Sequence, residues 1–148
     1  MNFEFKFANE LTAAKMHDII KARAEVFIME QNIHYCDPDE IDLSALHCFL
    51  HENGQIVGYL RAFYTDAGKK TVKIGRVLTR ERGKGFGRVL MELSLRAISQ
   101  KMPCEFLTMH AQIQVVDFYK KFGFAVTSTE FLEEGVRHVE MGRIFVNL

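Results

Sequence analysis

The sequence contains few of the residues that build disulfide frameworks, metal clusters and flexible linkers. Among its 148 residues there are two prolines, three cysteines and no tryptophan. Cys36, Cys48 and Cys104 show no metal-ligand spacing, so they predict reduced thiols in a cytoplasmic protein and no bound metal. Because no linker or internal repeat divides the chain, we expect one domain over residues 1–148.

Two further absences concern charge and hydrophobicity. Lysine plus arginine and aspartate plus glutamate each number 19, so the net charge is zero. A general nucleic-acid binder usually carries a basic excess, which makes a nucleic-acid partner unexpected. No long apolar run occurs, so neither a signal peptide nor a membrane span is predicted.

The charges are nevertheless unevenly distributed along the chain. Residues 73–101 contain eight lysines or arginines and two acids, whereas residues 30–52 contain six acids and no lysine or arginine. Such segregation fits two solvated faces of opposite sign, or a site with an anion-binding half and a cation-binding half. Both interpretations stay open at this stage.

Apolar periodicity predicts a central sheet flanked by helices. Alternation and turn signals predict strands at residues 3–7, 47–52, 55–64, 70–78, 106–111, 124–127 and 138–146. A period of 3.6 predicts helices at residues 11–29, 86–102 and 115–122. The order β-α-β-β-β-α-β-α-β-β indicates an α/β (α+β) fold. Arg23 lies on the apolar stripe of the first helix, so we expect it to have an acidic partner.

Three glycines at every second position, Gly83, Gly85 and Gly87, mark the junction between a strand and the second helix. Their spacing differs from that of dinucleotide-binding loops and of the P-loop. An RNA-recognition strand is matched in part, but Arg88 and Met91 stand where that motif has base-stacking aromatics. The remaining interpretation is an anion site, because the free N–H groups and the dipole of a helix N-terminus attract negative charge.

Two segments resemble the signature motifs of the GNAT family of N-acetyltransferases, in the family's order. Residues 82–87, RGKGFG, match its R/Q-x-x-G-x-G/A pyrophosphate loop. Residues 112–124 resemble its second signature, N-x-x-A-x-x-F-Y-x-x-x-G-F. Similarity to the ElaA-like branch of the family lies in residues 23–31, 74–77, 111–112 and 135–138. The resemblance implies a mostly antiparallel central sheet and an acyl-CoA N-acyltransferase.

The resemblance also implies acetyl-CoA as the co-substrate, with its two halves held by different residues. Backbone groups of Gly75, Arg76 and Val77 would hold the pantetheine arm, and Gln112 would lie near it where the family often has asparagine. The pyrophosphate would lie on a loop and helix start formed by Arg82, Gly83, Lys84, Gly85, Phe86, Gly87 and Arg88.

The implied reaction is direct transfer of an acetyl group to a primary amine. It needs a proton acceptor for the amine and a proton donor for the leaving thiolate. Tyr119 matches the family tyrosine that protonates the thiolate. As the base, Glu30 and His138 rank ahead of His110, because both lie in segments similar to the ElaA-like branch. Water is the alternative.

The expected acceptor is a small-molecule or peptide amine. The acidic segment could attract a cationic amine, or it could be a solvated loop; its members are Glu30, Asp37, Asp39, Glu40 and Asp42. The oligomeric state stays open, a homodimer included. Two alternative functions also stay open, a non-catalytic acyl-CoA-binding sensor and an RNA-binding module.

Overall fold

A mixed sheet of eight strands forms the centre of the computed structural model, which describes residues 1–145. The strands are β1 (Asn2–Phe7), β2 (Leu46–Glu52), β3 (Gln55–Tyr64), β4 (Thr71–Thr79), β5 (Phe106–Gln112), β6 (Ala125–Val126), β7 (Phe131–Glu133) and β8 (Val136–Ile144). Their order is β1-β2-β3-β4-β5-β8-β6, with β7 paired to β8. Among the described residues, the β4–β5 pair is parallel and the other pairs are antiparallel.

Helices cover both faces of this sheet. They are α1 (Ala13–Arg23), which continues as a π-helix (Ala24–Glu30), α2 (Phe86–Lys101) and α3 (Val116–Lys120). On one face, Ile19 of α1 belongs to an apolar cluster with Tyr59 of β3. On the other face, Leu90 of α2 belongs to a larger cluster with Leu60 of β3. No helix in residues 1–145 is long and apolar enough to cross a membrane.

The predicted fold class and element order are confirmed, with two differences. The first helix does not stay α-helical to residue 29, because a π-helix begins at Ala24; the apolar stripe does not distinguish the two windings. An additional strand, β7, forms a hairpin with β8 across Glu134 and Gly135, which have φ values of 50° and 75°. The strand predicted at 138–146 begins at Val136, and residue 146 lies outside the described residues.

Strands β4 and β5 run side by side for only part of their length. Their pairing covers residues 71–74 and 106–109. Beyond that point β4 continues to Thr79 without β5, while β5 continues to Gln112 and stays paired with β8, its partner from Phe106 onwards. The two strands therefore open a cleft at their carboxyl ends.

A bulge in β4 accompanies this separation. The register between β3 and β4 shifts between Tyr59 and Arg61, which pair with Leu78 and Gly75. Within the bulge Arg76 has a φ of 53°, an uncommon value for a residue other than glycine. Bulges bend a strand and increase its twist, which is consistent with β4 leaving its neighbour here.

Arg23 is buried between the first helix and the segment at residues 35–43. Its side chain is 0% exposed. Its Nε donates to Asp37 Oδ2 at 2.9 Å, and its Nη1 donates to Asp42 Oδ1 at 2.6 Å. The expected acidic partner of Arg23 is confirmed, and there are two of them.

Side chains of the sheet also bind the segment at residues 35–43. Arg61 of β3 donates from Nη1 to Asp39 Oδ1 at 2.6 Å and to Asp42 Oδ1 at 2.9 Å. The hydrogen bonds from Arg61 lower the pKa of Asp39. His47 donates from Nε2 to the Asp42 carbonyl at 2.8 Å and accepts from the Tyr59 hydroxyl at 2.7 Å. Burial lowers the pKa of His47, consistent with a neutral ring in this network.

Replacing Arg23 by methionine should strongly destabilise the protein, because Asp37 and Asp42 lose a buried partner. Removing one side of a buried charge network costs about 3–5 kcal/mol. Lys21→Met is the matched control, since the exposed pair of Lys21 with Glu25 at 4.0 Å contributes about 0.5 kcal/mol or less. Chemical denaturation measures both variants. Equal free energies of unfolding would contradict this role of Arg23.

Candidate active site

The glycine-rich loop joins the end of β4 to the N-terminus of α2. The residue before α2 is Gly85, whose backbone is left-handed at φ 74°, and no side chain caps the helix. Gly83 is also left-handed, at φ 84°. A Cβ atom at either glycine would have no heavy atom within 4 Å, so there is open space beside the loop. The predicted junction of strand, loop and uncapped helix is therefore present.

The third glycine, Gly87, allows two helices to pack closely instead. A Cβ atom on Gly87 would lie 3.2 Å from Cζ of Phe118, so the absence of a side chain lets α3 approach the first turn of α2. The residues after it are helical, which places Arg88 and Met91 in α2. An RNA-recognition strand is thereby excluded at this position.

The basic side chains around the loop are solvent-exposed. Lys84 pairs with Glu81, and Arg88 pairs with Glu92 at 3.4 Å. Exposed pairs of this kind contribute little and exchange readily with other partners. Arg82 is exposed as well. Arg82, Lys84 and Arg88 therefore add positive charge near the positive end of the α2 dipole.

Tyr119, the predicted acid, lies on α3 with its ring enclosed by aromatic side chains. The ring contacts Phe118 and Phe124 edge to face, with centroids 5.2 and 6.4 Å away. Burial raises the pKa of the Tyr119 phenol, so the hydroxyl keeps its proton at neutral pH. A proton donor needs that protonated state, but the same burial makes the phenol a weaker acid and leaves Tyr119 only 6% exposed. The role of Tyr119 stays a prediction.

The predicted pantetheine-binding residues Gly75, Arg76 and Val77 lie where β4 leaves β5. The Arg76 side chain turns towards Asp37, with Nε 2.9 Å from Oδ1 and Nη2 donating to the Asp37 carbonyl at 3.0 Å. Its guanidinium also lies 5.0 Å from the ring centroid of Tyr35. The side chain of Arg76 therefore belongs to the charge network, and only its backbone is left for a ligand.

Gln112, at the end of β5, is linked to the end of the first helix. Its Nε2 donates to Gln31 Oε1 at 3.2 Å, and its own Oε1 accepts from Gln114 at 2.5 Å. Gln31 directly follows Glu30, which is exposed, and Gln112 is the strand partner of His138. The backbone thus brings these three predicted residues, Glu30, Gln112 and His138, to one end of the cleft.

His138 is largely enclosed by protein. Its side chain is 9% exposed. Nδ1 donates to the carbonyl of Val136 at 2.7 Å, and the ring stacks on Phe131 at 6.0 Å between centroids. Nε2 lies 3.6 Å from Glu133 Oε2. Little of the ring is left for a substrate to contact.

His110 has a partner that the sequence did not reveal. Its Nδ1 lies 2.7 Å from Glu133 Oε1, and because a carboxylate only accepts, Nδ1 is the donor. Lys73 of β4 places its Nζ 3.3 Å from Nδ1 and 3.4 Å from Nε2 of the same ring. Burial lowers the pKa of Lys73, although Glu133 and Glu140 act in the opposite direction. Glu133 lies on β7, the strand that periodicity did not predict.

The acidic segment at residues 30–42 is mainly structural. Its three aspartates bind Arg23, Arg61 and Arg76, so they are not available to attract a cationic amine. Among the acidic residues of this segment, only Glu30 and Glu40 are exposed. Most of the negative charge that an amine-attracting loop would need is therefore already paired with arginines.

An open groove of about 750 Å³ lies along β4, β5 and β8, close to His110. It begins at Glu140, the strand partner of His110, and ends at the exposed side chains of Phe106 and Ile144. Between them it is lined by Thr71, Leu107, Thr108, Gly123, Ala125, Thr127, Gly142 and Arg143. The lining of the groove contains both polar and apolar side chains.

The separation of β4 from β5 and the uncapped start of α2 occur together in a known protein family. A family model described as an acetyltransferase (GNAT) domain matches residues 8–145. The chain therefore belongs to the GNAT family, whose members are acyl-CoA-dependent acyltransferases, as the sequence motifs predicted.

Individual relatives confirm the predicted branch. Protein ElaA of Escherichia coli is 32% identical over 139 residues, covering 91% of both chains. The crystal structure of E. coli ElaA has a TM-score of 0.89 at 30% identity and covers 96% of this chain and 98% of its own. An acyl-CoA N-acyltransferase from Pseudomonas aeruginosa has a TM-score of 0.88 at 28% identity, covering 97% and 99%. A UPF0039 protein of Schizosaccharomyces pombe is 35% identical over 145 residues, covering 95% of both.

Gly85→Ala should weaken binding of coenzyme A, whereas Gly54→Ala should not. The two glycines have nearly the same backbone, with φ values of 74° and 75°, and both have open space around them. Left-handed backbone costs a residue with a Cβ about 1–2 kcal/mol, so both variants should lose similar stability. Only Gly85 precedes the amides of the α2 N-terminus. Equal affinities of the two variants in a calorimetric titration would contradict a ligand-binding role for the loop.

Proposed function

We propose that this protein transfers an acetyl group from acetyl-CoA to a primary amine. The observation that carries the proposal is the uncapped N-terminus of α2 standing next to the cleft between β4 and β5. A pyrophosphate fits the first feature and an extended thiol arm fits the second. Their adjacency suits a ligand that contains both, joined in one chain.

The residues of the loop fit the pyrophosphate of coenzyme A. Gly83 and Gly85 keep the space beside the helix free of side chains, and the first N–H groups of α2 have no side-chain acceptor. Anions are stabilised at such a helix end by hydrogen bonds and by the dipole together. Exposed Arg82, Lys84 and Arg88 add positive charge within reach.

The residues of the cleft fit the pantetheine arm. Beyond Ile74, β4 has no β5 partner within the described residues, so its outer backbone groups are available to the amides of the arm. Gly75, the Arg76 backbone and Val77 lie in this stretch, and Gln112 offers a side-chain amide at the end of β5. When bound, acetyl-CoA supplies an acyl carbon that is activated by its thioester.

The chain's own groups supply the remaining requirements of acyl transfer. A backbone N–H near Val77 would donate to the oxygen that becomes negative in the tetrahedral transition state. Tyr119, protonated at neutral pH, would donate to the departing thiolate. Glu30 and His138 stay the predicted bases, although the enclosed position of the His138 side chain argues against His138. The acceptor's body would lie in the groove that leads from Glu140 towards Phe106 and Ile144.

Acetyl-CoA should stabilise the protein and be consumed when the right amine is present. At a hundredfold excess over Kd the stabilisation is about 2.7 kcal/mol, which corresponds to several degrees in Tm for a chain of this length. A thiol-release assay with spermidine, glucosamine, phenethylamine and a peptide with a free N-terminus should show turnover with one class of amine. 2-Phenylethanol, the alcohol matched to phenethylamine, should give none.

The two readouts separate the competing functions. An unchanged Tm would contradict binding of acetyl-CoA and with it the proposed function. A raised Tm without thiol release on any amine would favour a non-catalytic acyl-CoA sensor. A faster reaction with the alcohol than with the amine would contradict N-acylation.

A further inference from the structure

His110 stands where the cleft between β4 and β5 opens. The shared ladder of the two strands ends at the pair Ile74 and Met109, and His110 is the next residue of β5. Its side chain lies on the same sheet face as Lys73, away from the buried core residues Ile74 and Met109. His110 is therefore next to the bulge of β4, where the proposed function places the thioester.

Glu133 fixes the protonation pattern of the His110 ring. Since Nδ1 donates to Glu133 Oε1 at 2.7 Å, the neutral ring has its free electron pair on Nε2. A carboxylate in this position also stabilises the imidazolium that forms when Nε2 takes a proton, as in other enzymes that use a histidine base. The side chain of His110 is 27% exposed, compared with 9% for His138, so Nε2 of His110 is the more accessible.

Lys73 shows that an ammonium group fits beside this ring. Its Nζ lies 3.3 Å from His110 Nδ1 and 3.4 Å from Nε2, about equally far from the two nitrogens. The lysine side chain is long and unbranched, so it can turn aside. A substrate amine at the cleft can then occupy the same position.

We propose that His110, oriented by Glu133, is the catalytic base that takes the proton of the acceptor amine. The inference rests on the proposed amine acylation. As the amine nitrogen bonds to the thioester carbon, its proton passes to His110 Nε2. The C–S bond breaks and the thiolate takes a proton from Tyr119. Solvent then deprotonates His110 and reprotonates Tyr119, leaving an amide and a free thiol as the net products.

Four charged or titratable groups face His110 from the neighbouring strands. They are Lys73 on β4, Glu133 on β7, and His138 and Glu140 on β8. Two of these groups are carboxylates and one is a cation. Glu133 is the one that accepts a hydrogen bond from the ring.

The test is the pH dependence of kcat/KM for the best amine of the panel. His110→Gln should lower kcat by about a hundredfold or more and abolish the acidic limb of the profile. Glu133→Gln should lower kcat with little change in KM and keep the acidic limb, a selective loss that a purely structural role would not produce. His17→Gln, an exposed histidine on α1, is the matched control and should match the wild type. Imidazole added to His110→Ala should restore part of the lost rate.

The outcomes distinguish this inference from the function on which it rests. Each variant is first checked for the wild-type Tm shift with acetyl-CoA, which establishes that it folds and binds the donor. If the wild-type enzyme acylates an amine and His110→Gln keeps both its rate and its acidic limb, the inference is wrong. Loss of the limb in His138→Asn but not in His110→Gln would assign the base to His138 instead. If the wild-type enzyme acylates no amine, it is the proposed function that fails.

Discussion

The burial of Arg23 is the constraint on which the site depends. A guanidinium withdrawn from water has to be matched by carboxylates, because an unpaired charge in that position is too costly. Asp37 and Asp42 supply the match, and they bring the segment at residues 35–43 down onto the sheet. There the same segment meets Arg61 of β3 and Arg76 of β4. One network of charges thus connects the first helix, the acidic segment and the bulge at which the cleft opens.

In the proposed function, this network separates the part of the molecule that would hold the acyl donor from the part that would hold the acceptor. At the bulge, the Arg76 side chain pairs with Asp37, so only the Arg76 backbone is left at the cleft. The loop after β4 provides the uncapped helix end, which suits a phosphate. His110, its partner Glu133 and the adjoining groove lie beyond the paired part of β4 and β5, where we propose that the amine binds. In this proposal the donor and the acceptor meet at the cleft where β4 and β5 separate.

Features that depend on near neighbours in the sequence were predictable. The seven predicted strands, the two longer helices and the glycine loop follow from local periodicity and from the backbone freedom of glycine. They proved correct apart from their ends and the π-helical winding after Ala24. Arg23 was predicted to have an acidic partner, but its partners lie 14 and 19 residues away and nothing local selects Asp37 and Asp42 among the acids of that segment. The acidic excess in residues 30–52 suggested a surface that attracts cations, because composition counts charges without showing which of them are paired.

Features that depend on the final pairing of strands were not predictable. Glu133 meets His110 only because β7 folds back on β8, and β7 is a three-residue strand that is too short to show a period. The separation of β4 from β5 likewise depends on a bulge at Arg76, where a residue other than glycine adopts positive φ. Both features lie in the cleft region, and neither has a signature in the local sequence.

Hydrogen–deuterium exchange with and without acetyl-CoA tests the central claim most directly, because it reports on individual backbone amides. The account predicts slower exchange in the presence of acetyl-CoA at residues 83–89 and at 75–79, the helix end and the unpaired part of β4. The β2–β3 hairpin around Gly54 should be unaffected. Protection confined to other segments, or none at residues 83–89 under saturating acetyl-CoA, would contradict it.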